Sequence, residues 1–142
     1  MKDWLLLSLR LAAGTGIATW AGHAKVFDAE ARQQYADLLQ ESGIPGALLL
    51  TILFGVVEFF GGLFLAAGFF SRQAAGLLLL AGAGSAAIQL LAFDLSASAL
   101  FSFHKVDGLG VGYFLIAFLL LLVTGSGRIS FDAGRATMRS ED

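Results

Sequence analysis

Four long apolar runs dominate the chain, at residues 4–22, 47–70, 74–93 and 108–124. They are apolar on every side: the third opens Ala74-Ala-Gly-Leu-Leu-Leu-Leu-Ala81, which leaves no polar face for water. A hydrocarbon core about 30 Å thick needs about 20 helical residues at 1.5 Å each. Each run therefore predicts a transmembrane helix, the fourth being the shortest. Lys2 followed by an apolar run resembles a signal peptide. The run is longer than a signal core and shows no small-x-small site leading into a soluble chain, so it is read as the first span.

The connections differ in length. Ser71-Arg72-Gln73 predicts a tight hairpin, making spans two and three antiparallel neighbours. Residues 23–46 form the one long polar connection. Asp28 caps a short helix there, running to about Gln40. Phe27, Ala31, Tyr35, Leu38 and Leu39 fall toward one side of it, so the pattern predicts an amphipathic helix lying flat at the interface. Gly43-Ile44-Pro45 then turns the chain into span two, with proline where a helix begins. The expected fold is all-α: an integral membrane four-helix bundle, with this short amphipathic interfacial helix between spans one and two. Residues 1–142 form one domain, with a polar tail after Gly125-Ser126-Gly127.

Composition strengthens this reading. Hydrophobic residues make up 57 % and charged residues 14 %, too few polar groups to cover a soluble surface. The net charge of −2 gives no basic face for nucleic acid. Without cysteine there is no disulfide, thiolate metal site or iron–sulfur cluster. Glycine is plentiful, and Gly14, Ala18 and Gly22 recur at every fourth position, with Gly55, Gly62, Ala66, Gly76, Gly84, Gly108 and Gly112 extending the theme. Lipid supplies no hydrophobic force between helices, so small residues mark the seams where backbones approach. Lys2, Arg72, Arg128, Arg135 and Arg139 flank one side, against Lys25, Arg32 and Lys105 on the other, which places both termini in the cytoplasm.

Ionisable residues inside spans cost at least about 2.5–3.5 kcal/mol on insertion scales and demand partners. Arg10 lies in span one and Glu58 in span two. Counted from the distal ends of these runs, both sit about 18–20 Å deep. That predicts an Arg10–Glu58 ion pair, which either fixes helix packing or serves as a ligand site; Arg10 could instead reach back to headgroups. A second cluster gathers near the opposite rim: His23 and Lys25 after span one, Gln89 and Asp94 in and after span three, His104, Lys105 and Asp107 before span four. Its readings are interfacial anchoring, a polar-ligand or quinone-head site, and haem ligation by His23 and His104. The histidines and carboxylates lack metal-ligand spacing, so no metal site is expected. Gly108-Leu-Gly-Val-Gly opens an apolar span, not a phosphate loop.

An ordered set of segments is similar to a known family. It comprises Arg10-Leu-Ala, then Trp20-Ala-Gly-His-Ala-Lys-Val-Phe27, then Gly43-Ile-Pro45. Next comes Glu58-Phe-Phe-Gly-Gly-Leu-Phe-Leu-Ala-Ala-Gly68 leading to Arg72, and Thr124-Gly-Ser-Gly-Arg-Ile-Ser-Phe-Asp132 closes the set. Together these resemble the DoxX family of small bacterial four-span membrane proteins, from about residue 4 to residue 133. The resemblance implies a bundle in the bacterial cytoplasmic membrane without a catalytic centre of its own. It also implies a link to membrane redox systems, such as small subunits of thiosulfate:quinone oxidoreductases. Two positions depart from the pattern: Gln89 stands where many relatives carry histidine, and Asp107 is the nearest acid to the start of span four.

Three functions follow as expectations. The first is an accessory subunit of a quinone-linked redox assembly, with no cofactor evident beyond quinone. The second is a small oligomeric transporter for a polar or weakly acidic solute. The third is a non-catalytic scaffold or assembly factor. The expected partners are the lipid bilayer and either further copies of the chain or a larger membrane complex.

Overall fold

A computed structural model describes residues 2–92, 101 and 110–125 of the chain. The described residues are helical or in short turns, with no strand among them. Helix α1 (Lys2–Ile17) runs into a π-helical turn (Ala18–Gly22) and on through α2 (His23–Phe27). Helix α3 (Ala29–Glu41) follows, then α4 (Ala47–Ala67), α5 (Ser71–Ala92) and α6 (Val111–Thr124). Two continuous helical stretches, Asp3–Phe27 and Ala47–Ala67, are long and apolar enough to cross a bilayer, with Val111–Thr124 a shorter apolar helix. Large apolar side chains cover the outside: Leu48, Leu53, Phe64, Leu80, Leu119 and Val123 are all exposed. Water would not tolerate such a surface, and lipid favours it. The protein is an all-α integral membrane bundle.

The bundle is held at small residues. A Cβ built on Gly14 would lie 2.6 Å from the carbonyl oxygen of Gly62 and 2.7 Å from the backbone nitrogen of Ala66, so α1 and α4 touch backbone to backbone. Gly22 meets Phe59 in the same way. The Gly14–Ala18–Gly22 seam predicted from spacing thus faces α4, as close-packing in lipid requires. A second layer joins α1, α5 and α6 around Ala13, Ile17, Leu78, Phe114, Phe118 and Leu121.

The helix ends differ from the predicted ones in an informative way. Span one continues as helix to Phe27, five residues past the apolar run, because the π turn carries the chain onward without a break. Span two stops at Ala67, not at residue 70. Gly68 takes a left-handed conformation (φ 77°), and its N–H donates to Leu65 O (3.1 Å) while Phe69 N–H donates to Phe64 O (2.9 Å). That is a Schellman termination, which glycine permits at no steric cost. The hairpin is therefore Gly68–Phe70, and Ser71, Arg72 and Gln73 form the first turn of α5. Within the fourth apolar run, helix α6 begins at Val111.

The interfacial helix is α3, and Asp28 caps it as expected. Its carboxylate accepts from Glu30 N–H (2.9 Å) and Ala31 N–H (3.1 Å). However, α3 packs on protein as well. Ala36 and Leu39 are buried against Ala47, with Ile44, Leu50 and Ile88 around them. The geometry explains why. Lys25 touches Gly55, eight residues into α4, so the start of α4 extends about 12 Å beyond Lys25 and about 9 Å beyond the end of span one at Phe27. Helix α3 folds into that gap. The end of the bundle carrying α3 is called distal below; the other, where α1 starts and α6 stops, is the terminal end.

Candidate functional site

The two charges singled out in the spans are both buried, Arg10 at 2 % exposure and Glu58 at 4 %. They do not take each other as partners. Glu58 is bound by Lys25, whose Nζ donates to Oε1 at 3.0 Å and to Oε2 at 2.8 Å. Arg10 donates from Nε to the Ala66 carbonyl oxygen at 3.2 Å, eight residues and about 12 Å along α4 from Glu58. The mispairing has a definite source. The apolar run ends at Gly22, but the helix extends to Phe27, which lowers Arg10 by a further five residues, about 7.5 Å.

Each charge then has a local physical reason. The last four carbonyls of a helix lack intrahelical donors and carry the negative end of its dipole. Leu65 and Phe64 receive theirs from the Schellman turn, and Arg10 supplies one to Ala66. Arg72 treats α6 alike, donating from Nε to Leu122 O at 3.2 Å. Arg10 is thus a cap at the terminal end of α4.

Lys25 and Glu58 form the distal site. Lys25 stands in the last turn of α2, where Gly55 leaves room for its stem: a Cβ on Gly55 would meet the Lys25 Cβ at 2.6 Å. The side chain then reaches one turn toward the terminal end to meet Glu58. Both side chains are nearly closed off, at 3 % and 5 % exposure. A buried ion pair needs full satisfaction to offset desolvation. Here the carboxylate receives two hydrogen bonds, and the ammonium also lies 4.4 Å from the centre of the Tyr35 ring, a cation–π contact from α3. Tyr35 is the residue that sequence reasoning missed. It was placed on the apolar side of α3, and the signal available was a lone tyrosine there, a residue whose hydroxyl needs a partner when buried. Its Oη is buried and has no hydrogen-bond partner among the described residues.

The other expected site residues separate from this pair. His23 is exposed and points the other way, its ring 5.1 Å from Phe27 and 6.5 Å from Phe59. It joins an aromatic patch in which Phe27 also meets Phe59 edge-on at 5.2 Å. His23 and Lys25, two residues apart on a helix, must diverge. Gln89 lies in α5. Asp94, His104, Lys105 and Asp107 lie outside the described residues, as does any His23–His104 pairing. Among the described residues no group of three or more histidine, aspartate or glutamate side chains is placed to hold a metal ion.

Comparison with known proteins places the chain. The DoxX family model matches residues 5–91, more than half of its length and all of α2 to α4. The match includes Arg10, Lys25, Tyr35 and Glu58 but not the closing segment from Thr124. No curated protein and no solved structure matches the chain. The all-helical membrane fold and this match agree, and the chain belongs to the DoxX family.

Proposed function

We propose that the protein is an accessory subunit of a quinone-linked redox assembly in the bacterial cytoplasmic membrane, with both termini cytoplasmic and no catalytic centre of its own. The observation that carries this reading is the buried Tyr35 hydroxyl, unpartnered among the described residues and beside the Lys25–Glu58 pair. An orphaned buried hydroxyl forfeits roughly 1–3 kcal/mol, which a ligand acceptor oxygen would return. A quinone carbonyl is such an acceptor, and it arrives through the lipid that already surrounds the bundle. Quinone would supply two-electron, two-proton redox chemistry when bound. Tyr35 would donate its hydroxyl hydrogen in a hydrogen bond, Lys25 would keep the carboxylate oriented, and Glu58 Oε would hold or release a proton. The basic residues counted above support the orientation, and the family resemblance supports the redox setting.

The test is purification from native membranes in mild detergent, followed by solvent extraction of bound quinone. Wild type is expected to carry quinone and an oxidoreductase partner, and Tyr35→Phe to carry several-fold less quinone. Wild type free of both would remove the proposal.

A structural reading is favoured by a different observation. Lys25 and Glu58 already satisfy each other in a bidentate contact, which is what a helix-locking pair needs. If conservative changes at the pair alter stability and leave assembly function untouched in the surviving protein, the scaffold role stands.

A further inference from the structure

The distal site is closed by one short helix, and its closure is lightly made. We infer that α3 is a hinged cover over the Lys25–Glu58 pair, with Tyr35 as the latch, and that it opens to the aqueous phase at the distal end. This rests on the site described above but not on the identity of its ligand.

The attachments of α3 are unequal. At its start, Arg32 Nη1 donates to Val26 O at 2.9 Å, tying the first turn of α3 to the end of α2. Asp28 between them is extended (φ −97°, ψ 112°), a single non-helical residue about which the helix can pivot. At its far end the chain passes through Gly43 and Gly46, both left-handed at φ +77° and +71°. Neither has any atom within 4 Å of where a Cβ would stand. The glycines are unpacked and the turn is held by Ile44 at the edge of the Ala36–Leu39–Ala47 cluster, so the far end of α3 can swing by giving up that contact while the near end stays anchored.

What holds the cover shut is small. Two buried apolar side chains, Ala36 and Leu39, face Ala47, with Ile44, Leu50 and Ile88 partly buried around them. Tyr35 adds its ring over Lys25. Against these stands the unpartnered Tyr35 hydroxyl, which closing removes from water without return. The opposite face of α3, with Glu30, Gln33, Gln34 and Asp37, is exposed. Opening therefore costs those residues no hydration. The closed state is held by the ring and opposed by the hydroxyl of one residue, so the two parts of Tyr35 should act in opposite directions.

The natural absence of cysteine makes this measurable. Thr51 is buried at 1 % exposure on the α4 stripe, one turn from Ala47 beneath α3 and one turn from Gly55 beside Lys25. Thr51→Cys would be labelled in nanodiscs with a water-soluble methanethiosulfonate reagent, using quinone-stripped protein. Leu78→Cys, buried among α1, α5 and α6 away from α3, serves as the control for general loosening. The expected result is slow labelling at Thr51→Cys and none at Leu78→Cys. Adding Tyr35→Ala should speed labelling at least tenfold, and adding Tyr35→Phe should slow it several-fold. Equal rates in the three Tyr35 backgrounds would overturn the latch, and so would faster labelling in Tyr35→Phe. Complete protection of Thr51→Cys in the Tyr35→Ala background would overturn the cover. Should Tyr35→Ala fail to fold, the Tyr35→Phe comparison alone decides. Because no quinone is present, failure here leaves the quinone reading to its own test.

Discussion

Replacing Lys25 by methionine removes the cation from Glu58 while keeping an unbranched apolar stem against Gly55 and the Tyr35 ring. The carboxylate would then stand at 5 % side-chain exposure without its two donors at 2.8 and 3.0 Å. Breaking a buried pair from one side costs about 3–5 kcal/mol, because the remaining charge is uncompensated. Each 1.4 kcal/mol is a tenfold change, so the folded-to-unfolded ratio falls by roughly two to three and a half orders of magnitude. Glu58→Met should cost a similar amount, since it strands the ammonium instead. Removing both leaves two apolar side chains of similar length in an apolar setting, and the double variant is expected within about 1 kcal/mol of wild type, given how often hydrophobic replacement of buried pairs is neutral. The cycle also discriminates between cations. Arg10 binds Ala66 about 12 Å away along α4, so Arg10→Met and Glu58→Met should add to within about 1 kcal/mol. Reversible unfolding in mixed micelles, followed by circular dichroism, reads all five variants. Additive Lys25 and Glu58 effects, or strong coupling of Glu58 to Arg10, would refute the reasoning.

The same geometry gives three further expectations. Gly14→Ala places a Cβ 2.6 Å from Gly62 O and 2.7 Å from Ala66 N, both backbone, so α1 and α4 must separate; a loss of about 1–3 kcal/mol in micelle unfolding is expected, and an unchanged midpoint would contradict the seam. Arg10→Met leaves the Ala66 carbonyl without that donor and should cost about 1–3 kcal/mol, with Arg10→Lys recovering only part because the capping bond comes from Nε. Asp28→Ala removes the carboxylate oxygen that accepts both N-cap hydrogen bonds of α3 and should weaken that helix by about 0.5–2 kcal/mol, seen as faster hydrogen exchange across Ala29–Glu41 with the exchange of α4 preserved.

Much of the architecture was legible in the sequence because lipid leaves few options. Runs without a polar face had to form apolar helices, two of them, Asp3–Phe27 and Ala47–Ala67, long enough to cross a bilayer, and Gly14-Ala18-Gly22 had to be a seam, since nothing else lets backbones meet there. Asp28 was readable as a cap from local chemistry alone. The partner of Glu58 was not readable. Its identity depends on the relative height of two helices, and height was counted from where hydropathy falls, at Gly22, although hydrogen bonding carries the helix to Phe27 through residues as polar as His23 and Lys25. Hydropathy marks the edge of the lipid, whereas helix ends follow caps and turns, as Gly68 shows by ending α4 within an apolar run. Tyr35 escaped for a related reason. On a helix expected to rest on lipid its hydroxyl would face headgroups, whereas the docking of α3 onto the bundle puts its ring over Lys25 and buries the hydroxyl.

The deep carboxylate of span two is held by the lysine at the end of span one, inside a bilayer. Solid-state NMR on protein in lipid, with labelled lysine Nζ and glutamate Cδ, measures this contact through their dipolar coupling. One strongly coupled lysine–glutamate pair is expected, abolished by Lys25→Met and preserved in Arg10→Met. A spectrum without that coupling, or one whose coupling survives Lys25→Met, would contradict it.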